Sequence, residues 1–358
     1  MSRLALLLLM VLSLPAQAIS VAFINPGLSN EIYWQTAIQA MHKAAGDLGI
    51  ELRVYQTERN PLRQISLVSE LTGADRPDYL LVGAEKGALV EQLRAANAMK
   101  LPTLAAYNAV MPSQREVLGQ PRGRLPYWLG SVVPDAEDGG AMTAEALIRA
   151  GHEKGLVDSE GRLYLLAFYG DRSSDTSIKR NRGMQRVVEQ HPEVVLLQSV
   201  ATDWRRDKAE QQAEHLLRRH PQVNLVWSGS DQVAFGVMDA ARRQGRHPGE
   251  DLLFSGFNTS DEAMHSLIGG QLTTLAGGHF MAGAWGLVMI YDYHHGRDFA
   301  EDEGTELTRP MFSLFDPALA RRYLSRRGGV DFRRFSKVHN PDLKHYDFSF
   351  AAFLRGHP

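Results

Sequence analysis

The stretch that decides the fold is residues 20–55, SVAFINPGLSNEIYWQTAIQAMHKAAGDLGIELRVY. Ser20 to Ile24 is a short run of strand length, mostly apolar, and it stops at Asn25-Pro26-Gly27, a turn signal. Trp34, Ala37, Ile38, Met41, Ala45 and Leu48 then recur at three and four residues, the apolar face of an amphipathic helix. Ser29 or Asn30 is placed to cap that helix and Gly49 to end it. Glu51 to Tyr55 reads as a second strand. A strand, a helix and a strand in this order predict two parallel strands joined by a crossover helix.

The same rhythm continues outward. Asn60 and Pro61 are a cap and a first helical residue, leading the helix Leu62 to Leu71. Strand Tyr79 to Val82, helix Lys86 to Ala98 and strand Thr103 to Tyr107 follow. After residue 160 the alternation restarts, with strands at 163–169, 194–200, 224–228, 252–257 and 272–276. The helices between and after them are expected at 176–190, 207–219, 231–243, 261–268 and 281–293. Such alternation predicts the α/β class, as two doubly wound parallel-sheet lobes joined by a hinge. The first lobe is expected at 19–131, completed by about 278–320, and the second at 132–277, completed by part of 321–358. Residues 108–131, with Pro112, Pro121, Gly123 and Pro126, read as a long connection between them.

The chain opens with Arg3, an apolar run from Leu4 to Leu12 and Ala16-Gln17-Ala18, the pattern of an export signal over residues 1–18. The run is too short for a membrane anchor. No cysteine occurs in the 358 residues, which leaves out disulfides, thiolate metal sites and a lipidated cysteine. The formal charge is −2, and −3 once Arg3 is removed, a balance that argues against nucleic-acid binding. One basic stretch, Arg321, Arg322, Arg326, Arg327, Arg333, Arg334 and Lys337, reads either as a solvated face or as a docking patch for a membrane partner.

In open α/β sheets ligands sit beyond the carboxyl ends of the strands. The candidates are therefore the residues just after each strand: 25–34, 56–60, 83–86, Tyr107 and Asn108 in the first lobe. In the second they are 170–180, Asp203, Trp204, Ser230, Asp231, Asn258, Gly278 and His279. Aromatic faces cover C–H surfaces, and planar amides, carboxylates and guanidinium groups bond hydroxyls, so the set suits a sugar-like ligand.

The order of these motifs resembles the type I periplasmic binding proteins, which include ribose- and galactose-binding proteins and autoinducer-2 receptors. Glu31-Ile32-Tyr33-Trp34 matches the family's cleft segment after the first strand. Arg180-Asn181-Arg182-Gly183 matches an arginine that holds ligand hydroxyls, with Arg180 preferred and Arg182 its rival. Ser230-Asp231 stands where the family has Asn-Asp, and Gly256-Phe257-Asn258 where it has Gly-Phe-Asp. Gly277-Gly278-His279 replaces a frequent glutamine. The resemblance implies ligand-binding roles for Tyr33, Trp34, Tyr107, Asn108, Arg180, Trp204, Asp231, Asn258 and His279. It implies a monomer that closes on a small molecule and serves the membrane permease of an ABC importer, or alternatively a membrane sensor protein, from the periplasm.

Each residue also has a plainer reading. Trp34 could be core and Tyr33 surface. Arg180 could pair with Asp171 or Asp175, and Asp231 could only cap its helix. Trp204 could pack beneath its helix, and His279 could be structural. No nucleophile elbow, zinc helix, phosphate loop or dinucleotide fingerprint occurs, so no catalytic residue, metal or cofactor is expected. His294 and His295 are adjacent, so on a helix they do not share a metal face.

Overall fold

In this computed structural model residues 18–325 and 330–355 are described; the expected export signal, apart from Ala18, and Arg326 and Arg327 of the basic stretch lie outside them. The first lobe is built from β1 (Ile19–Asn25), α1 (Ile32–Leu48), β2 (Ile50–Gln56), α2 (Pro61–Glu70) and β3 (Tyr79–Val82). It continues with α3 (Leu89–Ala98), β4 (Thr103–Ala106), α4 (Pro112–Leu118) and β5 (Trp128–Pro134). The second lobe runs through α5 (Ala136–Glu153), β6 (Leu163–Tyr169), α6 (Asp175–Gln190), β7 (Val194–Ala201) and α7 (Arg206–Arg219). It goes on with β8 (Leu225–Ser228), α8 (Asp231–Arg243), β9 (Leu253–Phe257), α9 (Asp261–Ile268) and β10 (Thr274–Gly277). The rest comprises α10 (Ala282–His294), α11 (Phe299–Asp302), β11 (Glu306–Arg309), β12 (Ser313–Phe315), α12 (Pro317–Ser325) and α13 (Phe350–Arg355).

The two sheets share one winding. Their orders are β11-β5-β4-β3-β1-β2 and β12-β10-β9-β8-β6-β7. Every pairing is parallel except that of β12 with β10. The winding reverses between β1 and β3 in one lobe and between β6 and β8 in the other, and at such a switch point two loops part and leave a crevice. Inner strands read as unbroken apolar runs, Tyr79–Val82 for example, because helices cover both sheet faces. In the first lobe α1 and α10 lie together on one side and α2 with α3 forms a second layer; in the second, α5 pairs with α6 and α7 with α8.

The ends of α1 and α2 follow local chemistry. Gly49 closes α1 in the left-handed region (φ 68°), while the N-cap is Glu31 rather than Ser29 or Asn30. Asn60 caps α2, its Oδ1 accepting from the amides of Leu62 and Arg63. The helix expected from Lys86 begins only at Leu89, because Lys86 and Gly87 have φ of 52° and 80°.

The long connection expected at 108–131 is largely ordered: it contains α4 and enters β5. Strand β5 extends to Pro134 within the first sheet, so the chain leaves that lobe after Pro134. It passes back after β10, since α10 packs on α1 and β3–β5 and β11 pairs with β5. Between β11 and β12 it crosses again, and α12 then packs on α9. Beyond residue 330 the tail returns to the first lobe. There Asp292, fully buried, accepts from the Ser336 and Tyr346 hydroxyls and the Lys337 amide, while Phe332, Phe335 and Phe348 surround Trp285. Lys337 is not part of a solvated basic face: it is buried against Asp302, Glu303 and the ring of Tyr346.

Candidate functional site

The loops at the carboxyl ends of both sheets face one another across a cavity of about 100 Å³. On the same measure a water needs roughly 10–15 Å³, so the space suits one compact small molecule. Tyr33, Trp34, Tyr107, Asn108, Arg180, Trp204, Asp231, Asn258 and His279 all line it, together with Glu31, Ile32, Arg59, Glu85, Pro134, Ser174, Thr176, Ser230 and Gln232.

Aromatic rings form the walls. Trp34 and Tyr107 meet edge-on at 4.9 Å between centroids, and Tyr33 stacks on His279 of the opposite wall at 4.9 Å. Trp34 is buried, so it serves core and cavity together. Burial holds the Tyr33 and Tyr107 phenols well above their ordinary pKa, and both stay neutral hydroxyls. The Tyr107 hydroxyl donates to the Phe280 carbonyl at 3.3 Å, which leaves its ring for the cavity. Trp204 covers the second-lobe side and donates from Nε1 to Asp171 Oδ2 at 2.8 Å. A Cβ at residue 170 would fall 2.2 Å from the Trp204 indole, so Gly170 makes room for it.

Arg180 is the buried cation of the second lobe. Its Nη1 donates to the Gly229 carbonyl at 2.8 Å, its Nη2 bonds His279 Nε2 at 2.9 Å, and the guanidinium lies 4.3 Å from the centroid of Phe257. Burial pushes its pKa down to about 10, so it remains charged at neutral pH. A guanidinium only donates, so His279 Nε2 accepts and the ring proton sits on Nδ1. Burial, then Arg180, keeps that imidazole neutral. His279 Nδ1, Arg180 Nε and Gln232 Nε2 are buried donors with no partner. Arg182, the rival, is exposed on the far side of α6, 3.7 Å from Glu137.

Neither Asp171 nor Asp175 pairs with Arg180. Asp171 accepts from Ser173, Ser174 and Trp204, and Asp175 pairs with Lys179. Ser230, not Asp231, caps α8, with Oγ accepting from the Val233 amide. Asp231 is buried and accepts from Asn258 Nδ2 at 2.8 Å and from the Ser260 hydroxyl. An aspartate at 258 would set two carboxylates against each other, so the asparagine there matches Asp231. Burial raises the Asp231 pKa.

The first-lobe wall carries residues that the sequence did not single out. Arg59 Nη1 donates to Glu85 Oε2 at 2.8 Å, and Nη2 to both carboxylate oxygens of Glu31. Burial drives Glu85 up to about 8, against the lowering pull of Arg59, and Glu31 and Asp171 add to the rise. Both residues fall within the strand-end stretches 56–60 and 83–86, but the bond between them joins loops 26 residues apart. Residues Arg59, Tyr107, Trp204 and Asn258 have left-handed φ of 55°, 70°, 62° and 87°. Such strain in non-glycine residues collects at sites where function fixes the backbone. No group of His, Asp and Glu able to hold a metal occurs among the described residues.

Comparison with known proteins agrees with this geometry. A family model described as the periplasmic binding protein domain matches residues 21–298. A solved periplasmic sugar-binding protein from Pseudomonas fluorescens is 37% identical, covers 94% of this chain and 99% of its own, and superposes with a TM-score of 0.85. The D-apiose import binding protein of Actinobacillus succinogenes is 24% identical over 70% of this chain and 73% of its own length. The ribose import binding protein of Bacillus subtilis is 24% identical over 66% and 69%. These relatives bind solutes and are not enzymes. With two sheets of like winding, a cavity between their carboxyl ends and a family match over most of its length, this chain belongs to the periplasmic binding protein family.

Proposed function

We propose that the protein captures a single sugar of pentose or hexose size between its lobes and delivers it to the membrane permease of an ABC importer. The observation that carries this reading is the shared cavity: aromatic walls, a buried arginine and buried carboxylates converge on it from both lobes. Aromatic faces suit the C–H faces of a sugar ring, and the charged and amide groups suit its hydroxyls. Relatives named for ribose and apiose import support the choice of a sugar and of an importer. Residues 1–18 carry the protein to the periplasm in this reading, and the exported monomer starts at Ile19.

A melting screen of pentoses, hexoses and polyols, followed by calorimetry on the hits, tests the reading. A sugar at 100 times its dissociation constant stabilises the native state by about 2.7 kcal/mol, a rise readily seen on melting. Stabilisation by amino acids or peptides, and by none of the sugars, would overturn it. Stimulation of a reconstituted permease ATPase by the loaded protein tests delivery; capture instead by a membrane kinase or cyclase would favour sensing.

A further inference from the structure

We propose that the ligand is a sugar acid of pentose or hexose size, whose carboxylate is received by Arg180 on the second-lobe wall with His279 as a neighbouring donor. The inference rests on the sugar-binding reading above and narrows its ligand class.

Arg180 lines the cavity from α6 and is 3% exposed. A guanidinium so deeply buried is ordinarily met by an acid group. Among the described residues this one forms no ion pair: Nη1 is turned to the Gly229 carbonyl, Nη2 to His279, and Nε, also buried, has no partner. Asp231 acts on it only through space. The Asp231 oxygens are taken elsewhere, Oδ1 by Asn258 and the Gln232 amide and Oδ2 by Ser260, and burial disfavours its charge. Asn258 stands where the type I proteins have an aspartate, so the second-lobe wall holds one carboxylate fewer. His279, which also lines the cavity, adds a second donor. Its ring is held between Tyr33 and Phe312, at 4.9 and 4.6 Å between centroids. Because Nε2 accepts from Arg180, the proton is on Nδ1, which is buried without a partner.

A sugar hydroxyl brings a proton that needs an acceptor, whereas a carboxylate brings two acceptor oxygens and a negative charge. Unpartnered donors on and beside a buried cation therefore suit the carboxylate better. Taking up the acid pairs a guanidinium that is otherwise buried without a counter-ion bonded to it. The first-lobe wall does not oppose that charge. Glu31 is matched by Arg59, which donates to both of its carboxylate oxygens. Glu85, pushed up to about 8 by burial, keeps its proton at neutral pH.

The test uses the wild-type chain and Arg180→Met. Aldopentoses and aldohexoses are screened beside their aldonic and uronic acids, and beside the neutral amides of those acids, by melting and then by calorimetry at neutral pH. In the wild type the best acid is expected to bind about tenfold or more tightly than its parent sugar and its amide. In Arg180→Met that preference falls below about threefold. A parent sugar or amide that binds the wild type as tightly as the acid overturns the inference. This arm needs no variant, so it decides the matter even where Arg180→Met does not fold. A preference for the acid that survives undiminished in folded Arg180→Met overturns the inference as well. If neither sugars nor sugar acids bind, the sugar-binding reading itself falls, a result separate from either of these.

Discussion

Thr176 and Asn108 belong to different lobes and are joined across the cleft: the Thr176 amide donates to Asn108 Oδ1 at 3.1 Å. The Thr176 hydroxyl also donates to the Tyr107 carbonyl at 3.1 Å, and the Ala109 amide donates to Asp175 at 3.3 Å. Asn108 Nδ2 donates in turn to the Ala84 carbonyl, beside Glu85. The start of α6 is thus docked on the loop after β4, and the lobes stand closed.

These bonds exist only when the lobes meet, so they add to the closed state that a ligand selects. Thr176→Val keeps the shape and removes one bond, at about 1 kcal/mol. Sugar affinity is expected to fall about fivefold, with little change in ligand-free melting. Calorimetry checks this; an unchanged dissociation constant would show that the bond contributes nothing to closure.

Arg180 and Arg182 are two residues apart and differ in every environment. Arg180→Ala removes buried bonds to Gly229 and His279, at about 1–3 kcal/mol of stability, and lowers affinity tenfold or more. Arg182→Ala loses one exposed, long ion pair and should change stability by less than about 0.5 kcal/mol, with affinity unchanged. Denaturation and calorimetry on both variants separate the roles; equal effects would contradict this assignment.

Glu85 gives a pH signature. Its folded pKa, about 8, lies above the ordinary 4.5, so between those values the folded state holds the extra proton. Stability from this group therefore falls as pH rises from about 5 to about 8, and levels off above. The groups acting on it are Arg59, Glu31, Asp171 and Lys86. In Glu85→Gln the decline should flatten over that window. Denaturation at several pH values reads it, and parallel curves for the two proteins would contradict it.

Much of the fold could be read from spacing alone. The β1-α1-β2 unit and most later strands and helices follow directly from alternating apolar runs and 3.6-residue stripes. What escaped was β5 with α5. Gly130 (φ 156°) interrupts the strand, and Gly139 and Gly140 interrupt the helix pattern where a turn would be expected. Those glycines answer to packing, not to local propensity: a Cβ on Gly140 would sit 2.0 Å from the Arg180 carbonyl oxygen. That the last residues complete both lobes was expected, but the antiparallel β12 and the points at which the chain recrosses were hidden, because their partners lie far along the chain.

The candidate site was legible wherever topology alone places a residue, at strand ends. The choice of Arg180 over Arg182 had a readable signal. Ser177, Arg180, Met184 and Val187 are spaced three, four and three apart and form the buried stripe of α6, which Arg182 misses. The Arg59–Glu85 pair had none, since each residue looks like an ordinary surface charge until the two loops meet.

Small-angle scattering of the whole chain, before and after saturation with the best sugar from the screen, tests the central claim most directly. Capture between the lobes predicts that the sugar-free protein, stripped by unfolding and refolding, has the larger radius of gyration. Saturation should bring the curve to that calculated from the closed structure. A sugar that binds tightly by calorimetry while the radius of gyration stays at the open value would contradict capture between the lobes.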